Sequence, residues 1–236
     1  MNLLLFSPDQ PADNGTLTVT GRQHLHLKQT LKVEPGHQVR VGEINGLMGT
    51  GTVATIGDHA TTLAISLERD PPPPLPLKLI LALPRPKMMR RILQTVASLG
   101  VKELHLINSY RVDKSYWGTP WLEPDAIRGQ LWLGLEQAAD TRLPEVHLHK
   151  RFKPCVEDLL PDIIANTRAL VAHPYTESAC PSGLGESASL AVGPEGGFIP
   201  YEVEKLEECG FTPVSLGPRI LRVETAVPVL VSRLFY

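Results

Sequence analysis

The chain has 236 residues, of which 42% are hydrophobic and 20% charged, and its formal net charge is −2 at pH 7. This composition excludes a fibrous or wholly disordered protein and allows one large domain or two smaller ones. No apolar run approaches the ~20 residues of a transmembrane helix, and the first residues lack the basic flank of a signal peptide. The three widely spaced cysteines, Cys155, Cys180 and Cys209, predict neither disulfides nor a metal cluster. We therefore expect a soluble, cytoplasmic protein in a reducing compartment.

The small net charge conceals a basic middle. Residues 71–160 contain 13 Lys and Arg against 9 Asp and Glu, whereas residues 1–70 contain 5 against 7 and residues 161–236 contain 5 against 9. The overall balance is not that of a typical nucleic-acid-binding domain, which is usually basic. A basic middle between two acidic ends still permits a local surface that binds phosphate groups.

Residues 1–70 have the pattern of an all-β domain. Apolar and polar residues alternate in four short segments, which predicts four strands. These segments are residues 15–20, 38–41, 50–56 and 61–67. The pair Asn45-Gly46 predicts a hairpin turn, and residues 26–33 allow one or two helical turns. Short strands separated by frequent turns predict a small barrel.

A proline run separates this domain from the rest of the chain. Pro71 to Pro74, followed by Leu75-Pro76, lack backbone donors and have a fixed φ, so they predict a stiff extended linker. We therefore assign residues 1–70 to a β-domain, residues 71–76 to a linker and residues 77–236 to a second domain.

From residue 77 onward the period changes. Residues 78–83, in which Lys78 precedes a continuous apolar run, have the pattern of a strand buried on both faces, and residues 88–99 repeat apolar residues at helical spacing before Gly100. Further strands are predicted at 103–107, 146–148, 169–172, 189–193 and 213–216, and further helices at 123–139, 156–166, 200–209 and 224–235. This alternation predicts an α/β domain around a mostly parallel sheet.

Two loops of this domain are rich in glycine, proline and charge. Val192-Gly193-Pro194-Glu195-Gly196-Gly197-Phe198 follows a buried strand and precedes a helix with Pro200 at its first position. Leu216-Gly217-Pro218-Arg219-Ile220-Leu221-Arg222-Val223-Glu224-Thr225-Ala226 follows the next strand. Each loop alone is compatible with a tight turn or an Arg–Glu pair that holds a loop. Because ligands bind at the carboxyl ends of parallel strands, two such loops together predict one cleft. Neither loop has the pattern of a phosphate-binding loop or a dinucleotide fingerprint.

The two loops together resemble the C-terminal signature of the 16S ribosomal RNA (uridine-N3) methyltransferase family of the SPOUT superfamily. His26-Leu27 with Leu31-Lys32 and Gly36, and Glu136-Gln137 with Arg142 and Pro144-Glu145, resemble further motifs of that family. The resemblance covers nearly the whole chain. It implies an N-terminal PUA-like RNA-binding β-barrel, a C-terminal SPOUT domain with a trefoil knot, a homodimer and S-adenosylmethionine as the cofactor.

The sequence also departs from the family pattern. Thr95 and Ser98 stand where the family has an acidic residue or lysine in its middle helix, and Asp140 stands where it has arginine. Lys32 and His37 replace an arginine and an aspartate. Ile199 replaces the Ser or Thr that usually caps the helix after the glycine loop. The cofactor motifs are intact, whereas the RNA-facing motifs have drifted.

The resemblance assigns ten residues to the cofactor. They are Ala172, His173, Gly193, Glu195, Gly196, Gly197, Leu216, Gly217, Ile220 and Leu221. Arg222 and Glu224 lie in the loop that the family places beside the cofactor and are the candidate catalytic residues. Uracil N3 is a poor nucleophile while it is protonated, so an arginine that stabilises the anion is preferred, because a carboxylate is a weak base for this proton.

A cluster of cations at the start of a predicted helix is the candidate RNA surface, with an ordinary solvated helix face as the alternative. The candidate RNA-binding residues in the whole chain are Arg22, Lys28, Lys32, Arg85, Lys87, Arg90, Arg91 and Arg219. No histidine group has metal-ligand spacing, so no metal is expected. Two other functions stay open: a methyltransferase of the same fold acting on another RNA such as transfer RNA, and an inactive RNA-binding protein of ribosome assembly.

Overall fold

The computed structural model describes residues 1–10, 12–13 and 15–236, and the chain divides into two units. The first unit comprises residues 1–73 and 132–143, and the second comprises residues 74–131 and 144–236. The segment 132–143 therefore packs with the first unit, which the linear domain assignment of the sequence did not anticipate. Within the described ranges, no helix combines the length and the apolar character needed to cross a bilayer.

In the first unit, the described residues form a six-stranded sheet in the order β1-β4-β5-β6-β3-β2. The strands are β1 (Leu4–Phe6), β2 (Ala12–Asp13), β3 (Thr16–Thr20), β4 (Gln38–Glu43), β5 (Met48–Ile56) and β6 (Ala60–Arg69). The four strands predicted from alternation are confirmed as β3 to β6. In β3 the buried Leu17 and Val19 alternate with exposed threonines, because successive side chains point to opposite faces of a sheet. Strand β1 was not predicted; it pairs in parallel with β4.

The helical segment of the first unit begins earlier than its pattern predicted. Helix α1 spans Gly21–Leu25 and continues into a wider π-helical segment, His26–Leu31. Lys32 ends the segment with a left-handed φ of 49°. The buried Leu27 joins this segment to the core cluster that contains Leu17 and Val41.

The second unit contains a sheet whose six described strands are all parallel, in the order β12-β10-β11-β7-β8-β9. The strands are β7 (Leu77–Ala82), β8 (Glu103–Ile107), β9 (Glu145–His149), β10 (Arg168–Ala172), β11 (Ala188–Val192) and β12 (Thr212–Val214). All five residues of the central β11 are buried, as expected for a strand covered on both faces. The predicted α/β domain with a largely parallel sheet is thus confirmed.

The longer helices agree with the predicted ones to within about two residues. They are α2 (Pro86–Ser98), α3 (Pro124–Ala138), α6 (Pro200–Glu208) and α7 (Val223–Phe235). The helix predicted at 156–166 is wrong in its bounds. Its place is taken by α4 (Phe152–Pro154), a π-helical segment (Cys155–Leu159) and α5 (Leu160–Ile163). Pro154 and Pro161 lack the N–H donors of a continuous helix, so the backbone forms three short pieces. Two 3₁₀ turns, Lys114–Gly118 and Pro120–Leu122, were not predicted.

Backbone hydrogen bonds explain why the end of α3 belongs to the first unit. The Glu136 carbonyl oxygen accepts from the N–H groups of Asn2 and Leu3, at 2.9 and 3.0 Å. The Asn45 N–H donates to the Thr141 carbonyl at 2.8 Å, and the Thr141 hydroxyl donates to the Gly46 carbonyl at 2.6 Å. The predicted Asn45-Gly46 turn therefore contacts residues almost one hundred positions away in the chain.

Candidate functional site

All ten residues assigned to the cofactor line one cleft in the second unit. The cleft lies where β10, β11 and β12 end, since these parallel strands bring their following loops to the same edge of the sheet. Its empty volume, counted to its open mouth, is about 900 Å³. The roles of the ten residues remain predictions.

The walls of this first cleft are largely apolar. Phe198, Val214, Val223 and Leu230 contribute buried side chains, and residues of the two glycine-containing loops complete the lining. His173 lies at the end of β10, and burial lowers the pKa of its imidazole, which favours the neutral ring at pH 7. A mostly apolar pocket with few polar groups suits a ligand in which a flat heterocycle is attached to a polar chain.

The glycine loop has a conformation that larger residues do not allow. A Cβ atom on Gly193 would lie 2.8 Å from the backbone nitrogen of Phe198 and 3.1 Å from the carbonyl carbon of Gly197. Gly197 adopts a left-handed φ of 72°, and its N–H donates to the Pro194 carbonyl at 2.7 Å. The loop is therefore a tight turn whose glycines are required by its own backbone.

Arg111 holds the glycine loop from the side of β8, and the sequence did not indicate this residue. Its guanidinium donates a hydrogen bond to the Gly196 carbonyl. A Cβ on Gly196 would lie 2.7 Å from Arg111 Cδ, so the arginine stem packs directly over this glycine. The one signal that points to Arg111 is its place just after a predicted strand, at the edge where the loops converge.

The buried carboxylate of Glu202 accepts two backbone hydrogen bonds at the start of α6. Glu202 is 2% exposed and accepts hydrogen bonds from the N–H groups of Ile199, at 3.0 Å, and Tyr110, at 2.7 Å. Ile199 has no side-chain oxygen to accept from the N–H of Glu202, and that N–H donates to the Ile199 carbonyl at 2.9 Å instead. Glu202 thus provides the half of a capping box that does not depend on the residue at position 199, and the same carboxylate joins the loop after β8 to α6.

A second cleft adjoins the first and contains both candidate catalytic residues. Arg222 and Glu224 line it, whereas Leu221 and Val223 line the first cleft. The segment 221–224 thus directs alternate residues to opposite sides and forms a wall between the clefts. Glu195 lines both of them. The predicted RNA residues Arg85 and Lys87 also line the second cleft, beside Pro86, Met88 and Tyr116.

The structure places the predicted cations of the second unit at two locations. Arg85, Lys87, Arg90 and Arg91 lie at the start of α2 and are all exposed. The Arg90 guanidinium lies 4.8 Å from the centre of the Trp121 ring, which is a cation–π contact. Arg219 lies apart from them, in the wall of the first cleft. Their contact with RNA remains a prediction.

In the first unit, two of the three predicted RNA residues have acidic partners. Arg22 forms a 2.7 Å ion pair with the buried carboxylate of Glu136, and Lys28 forms a 3.2 Å pair with Asp58. Lys32 is exposed at the end of the helical segment. Because the Glu136 carboxylate is buried, loss of Arg22 would leave an uncompensated charge within the packing of residues 132–143.

The second unit thus has two adjoining clefts where an α/β domain binds its ligands: the first is largely apolar, and the second is lined by three cations and two carboxylates. Residues 71–235, more than half of the chain, match the family described as the RNA methyltransferase domain, and the chain belongs to this family.

Relatives of known name match almost the full length. The ribosomal RNA small subunit methyltransferase E of Treponema pallidum is 28% identical over 236 residues, which cover 96% of this chain and 87% of that protein. The protein of the same name from Mycobacterium bovis is 25% identical and covers 97% of this chain and 90% of its own.

Solved structures share the fold. The ribosomal RNA small subunit methyltransferase E of Neisseria gonorrhoeae, bound to S-adenosyl methionine, has a TM-score of 0.72 at 20% identity and covers 98% of this chain and 95% of that one. A Legionella pneumophila structure with bound cofactor SAM has a TM-score of 0.75 at 23% identity, with the same coverage. At these identities the likeness establishes the α/β fold with its parallel sheet.

Proposed function

We propose that this RNA methyltransferase transfers a methyl group from S-adenosylmethionine to N3 of a specific uridine in 16S ribosomal RNA of the small subunit. The observation that carries the proposal is the shared wall of the two clefts, in which Leu221 and Val223 face one side and Arg222 and Glu224 the other. A group-transfer enzyme needs its donor and acceptor in adjoining sites so that the reacting atoms meet in a fixed orientation. The names of the full-length relatives support ribosomal RNA as the acceptor.

The first cleft fits S-adenosylmethionine chemically. Its apolar walls suit the adenine, and the loops around Gly193 and Gly217 offer backbone groups that pair with ring and ribose atoms. The Glu195 carboxylate, 25% exposed, suits the cationic methionine end. When bound, the cofactor supplies a methyl group that its sulfonium already activates. The protein has to hold this cofactor, exclude water and prepare the acceptor nitrogen.

The second cleft fits the acceptor. Uracil N3 carries a weakly acidic proton, and Arg222 provides a fixed positive charge that stabilises the anion formed when that proton leaves. Glu224, on the same side of the wall, is the alternative participant as a proton acceptor. Arg222 is the N-terminal capping residue of α7, and its carbonyl accepts from the N–H groups of Thr225 and Ala226 at 2.9 and 2.7 Å. Its backbone is thereby fixed beside the cleft.

The remaining features follow from the family. We propose that the first unit, with its mixed six-stranded sheet, is the PUA-like RNA-binding barrel, and that the loops around the first cleft form the trefoil knot of a SPOUT domain. We also propose a homodimer in the cytoplasm; the apolar Ile220 and Val229, 68% and 40% exposed, support a subunit contact in the second unit. The exposed cations of α2 support contact with RNA phosphates.

Two measurements test the function. Calorimetry with S-adenosylmethionine should show binding at one site per chain. Mapping of modified nucleotides in ribosomal RNA from a deletion strain, with and without the gene, should show one N3-methylated uridine in 16S RNA that depends on the gene. If the modification that depends on the gene lies in transfer RNA, then transfer RNA and not 16S RNA is the substrate. If the protein binds the cofactor but no modified nucleotide depends on the gene, the enzyme assignment is wrong.

A further inference from the structure

Tyr116 is the aromatic residue of the second cleft. It lies in the 3₁₀ turn Lys114–Gly118 after β8 and is half-buried. The other walls include the apolar side chains of Pro86 and Met88, at the start of α2. An aromatic ring together with apolar side chains provides what a planar base needs for stacking.

The turn that carries Tyr116 is held at both ends. Asp113 caps its start, because its carboxylate accepts from the Ser115 N–H at 2.8 Å and its carbonyl accepts from the Tyr116 N–H at 3.0 Å. The next residue, Trp117, donates its indole N–H to the Asn108 side chain at 2.9 Å. A ring on a fixed backbone loses little conformational freedom when it contacts a ligand, so its position is suited to recognition.

The charges of the cleft match a nucleotide. Arg85, Lys87 and Arg222 supply three cations around the opening, and these suit the phosphates that flank a single base. Glu224 faces the second cleft from the same wall as Arg222, and Glu195 lines both clefts. Cations for phosphate, an aromatic face for a base and a boundary with the donor cleft together define a nucleotide site.

The neighbouring aromatic residues have other contacts or lie outside the second cleft. Trp117 is hydrogen-bonded to Asn108, and Trp121 lies beneath the Arg90 guanidinium. Tyr110, in the same connection after β8, is 79% exposed and is absent from the lining of both clefts. Among the aromatic residues of this connection, only Tyr116 lines the second cleft.

We infer that Tyr116 stacks on the target uracil after that nucleotide has been extruded from the RNA into the second cleft, with Pro86 and Met88 on the other walls. The inference rests on the proposed function. Enzymes that modify a base take it out of the stack and read it between aromatic and apolar side chains, and RNA recognition relies on such stacking. Tyr116 thereby holds the base at the wall that carries Arg222.

The test compares single-turnover methylation rates at saturating RNA and cofactor. Tyr116→Ala should slow transfer by ~5- to 150-fold, the range expected for loss of one base–aromatic stack. Tyr116→Phe keeps the ring and should retain most of the wild-type rate. Tyr110→Ala, an exposed tyrosine in the same connection, is the matched control and should leave the rate unchanged. Calorimetric affinity for S-adenosylmethionine should be the same in all four proteins, which verifies that the variants are folded.

A wild-type rate for Tyr116→Ala, or a rate for Tyr116→Phe as low as that of Tyr116→Ala, would overturn the stacking role. A second measurement needs no variant: 4-thiouridine placed at the target position should photo-crosslink to a peptide containing Tyr116 or Met88, and a crosslink confined to other peptides would contradict the inference. If wild-type protein transfers no methyl group to ribosomal RNA, the proposed function fails and the inference with it. Methyl transfer by wild type with an unaffected Tyr116→Ala removes the inference alone.

Discussion

The backbone N–H of Arg85 donates a hydrogen bond to the carboxylate of Glu195, with an N···O distance of 3.2 Å. Arg85 is the N-terminal capping residue of α2, whose first turn contains no acidic residue. The N-terminus of a helix carries a partial positive charge, which a nearby carboxylate stabilises. Glu195, in the glycine loop, provides this negative charge for α2. Because the same carboxylate lines both clefts, it connects the start of the basic helix to the cofactor loop.

Glu195→Gln should weaken S-adenosylmethionine binding by ~10- to 150-fold, since hydrogen bonds to a charged group contribute about 1.5–3 kcal/mol. Arg85→Ala is the matched control. It retains the backbone N–H that positions Glu195 but removes a guanidinium nitrogen 3.9 Å from the same carboxylate, so it should reduce RNA affinity and change cofactor affinity far less than Glu195→Gln does. Calorimetric titration of both variants with cofactor decides between these effects. Equal cofactor affinity for Glu195→Gln and wild type would show that the carboxylate serves α2 alone.

Gly193→Ala should destabilise the glycine loop by about 1–3 kcal/mol, the usual cost of overpacking, and remove cofactor binding. The added Cβ meets backbone atoms of Gly197 and Phe198, which have no rotamer with which to move away. Gly185→Ala is the control, because no atom lies within 4 Å of a Cβ at that position. Thermal unfolding and calorimetry of both variants provide the measurement, and cofactor binding of wild-type strength by Gly193→Ala would contradict the loop geometry.

Lys87 and Arg91 lie four residues apart on the exposed face of α2. If both bind phosphates, Lys87→Ala combined with Arg91→Ala should lower the log–log salt slope of RNA binding by about 0.7–0.9 for each phosphate that is no longer neutralised. The exposed Lys150→Ala, beyond the end of β9, is the control and should leave the slope unchanged. RNA titrations between low and moderate salt give the slope. An unchanged slope for the double variant would identify the face as an ordinary solvated surface.

Arg222→Ala should reduce the single-turnover methylation rate by ~100- to 1000-fold at neutral pH, as is typical when one preorganised charge partner is removed. Its rate should then rise steeply with pH, because hydroxide removes the N3 proton that the arginine no longer helps to release. Arg222→Lys keeps the charge without the guanidinium geometry and should recover part of the rate.

Rates over a range of pH, with Glu224→Gln measured in parallel, separate the two catalytic assignments. Rescue at high pH in Glu224→Gln but not in Arg222→Ala would make Glu224 the proton acceptor. An Arg222→Ala enzyme that is as fast as wild type at every pH would remove Arg222 from the reaction.

The free energy of unfolding should fall as pH decreases below about 6.5. Burial lowers the pKa of His105, and the hydrogen bond that its ring makes to the Glu103 carboxylate opposes this shift only in part. Burial, together with the nearby His105 and His147, lowers the pKa of His149. A histidine with a pKa lowered in the folded state contributes stability above its unfolded pKa and loses it as pH falls through the folded value. His105→Gln should flatten this dependence in denaturant unfolding measured from pH 7.5 to 5. The exposed His59→Gln should not, and an unaltered slope for His105→Gln would contradict the assignment.

The sequence by itself determined the two kinds of sheet and the two loops that meet at the first cleft. Alternation in residues 16–20 and a continuous apolar run in residues 79–83 report whether one or both faces of a strand are buried. Glycine and proline patterns after β11 and β12 marked turns that a parallel sheet must bring to one edge. These signals were sufficient because they depend on each segment's own side chains and on a general rule of topology.

Only the tertiary structure decided which distant residues complete the site and where the units divide. Residues 132–143 join the first unit through backbone groups such as the Glu136 carbonyl, and any residue offers a carbonyl, so no sequence pattern marks such a bond. Arg111 and Tyr116 are single side chains without periodicity, and their contact with the clefts depends on how the loop after β8 folds. Local pattern reports the burial of a segment, whereas the partner of a side chain is set by long-range packing that the pattern does not encode.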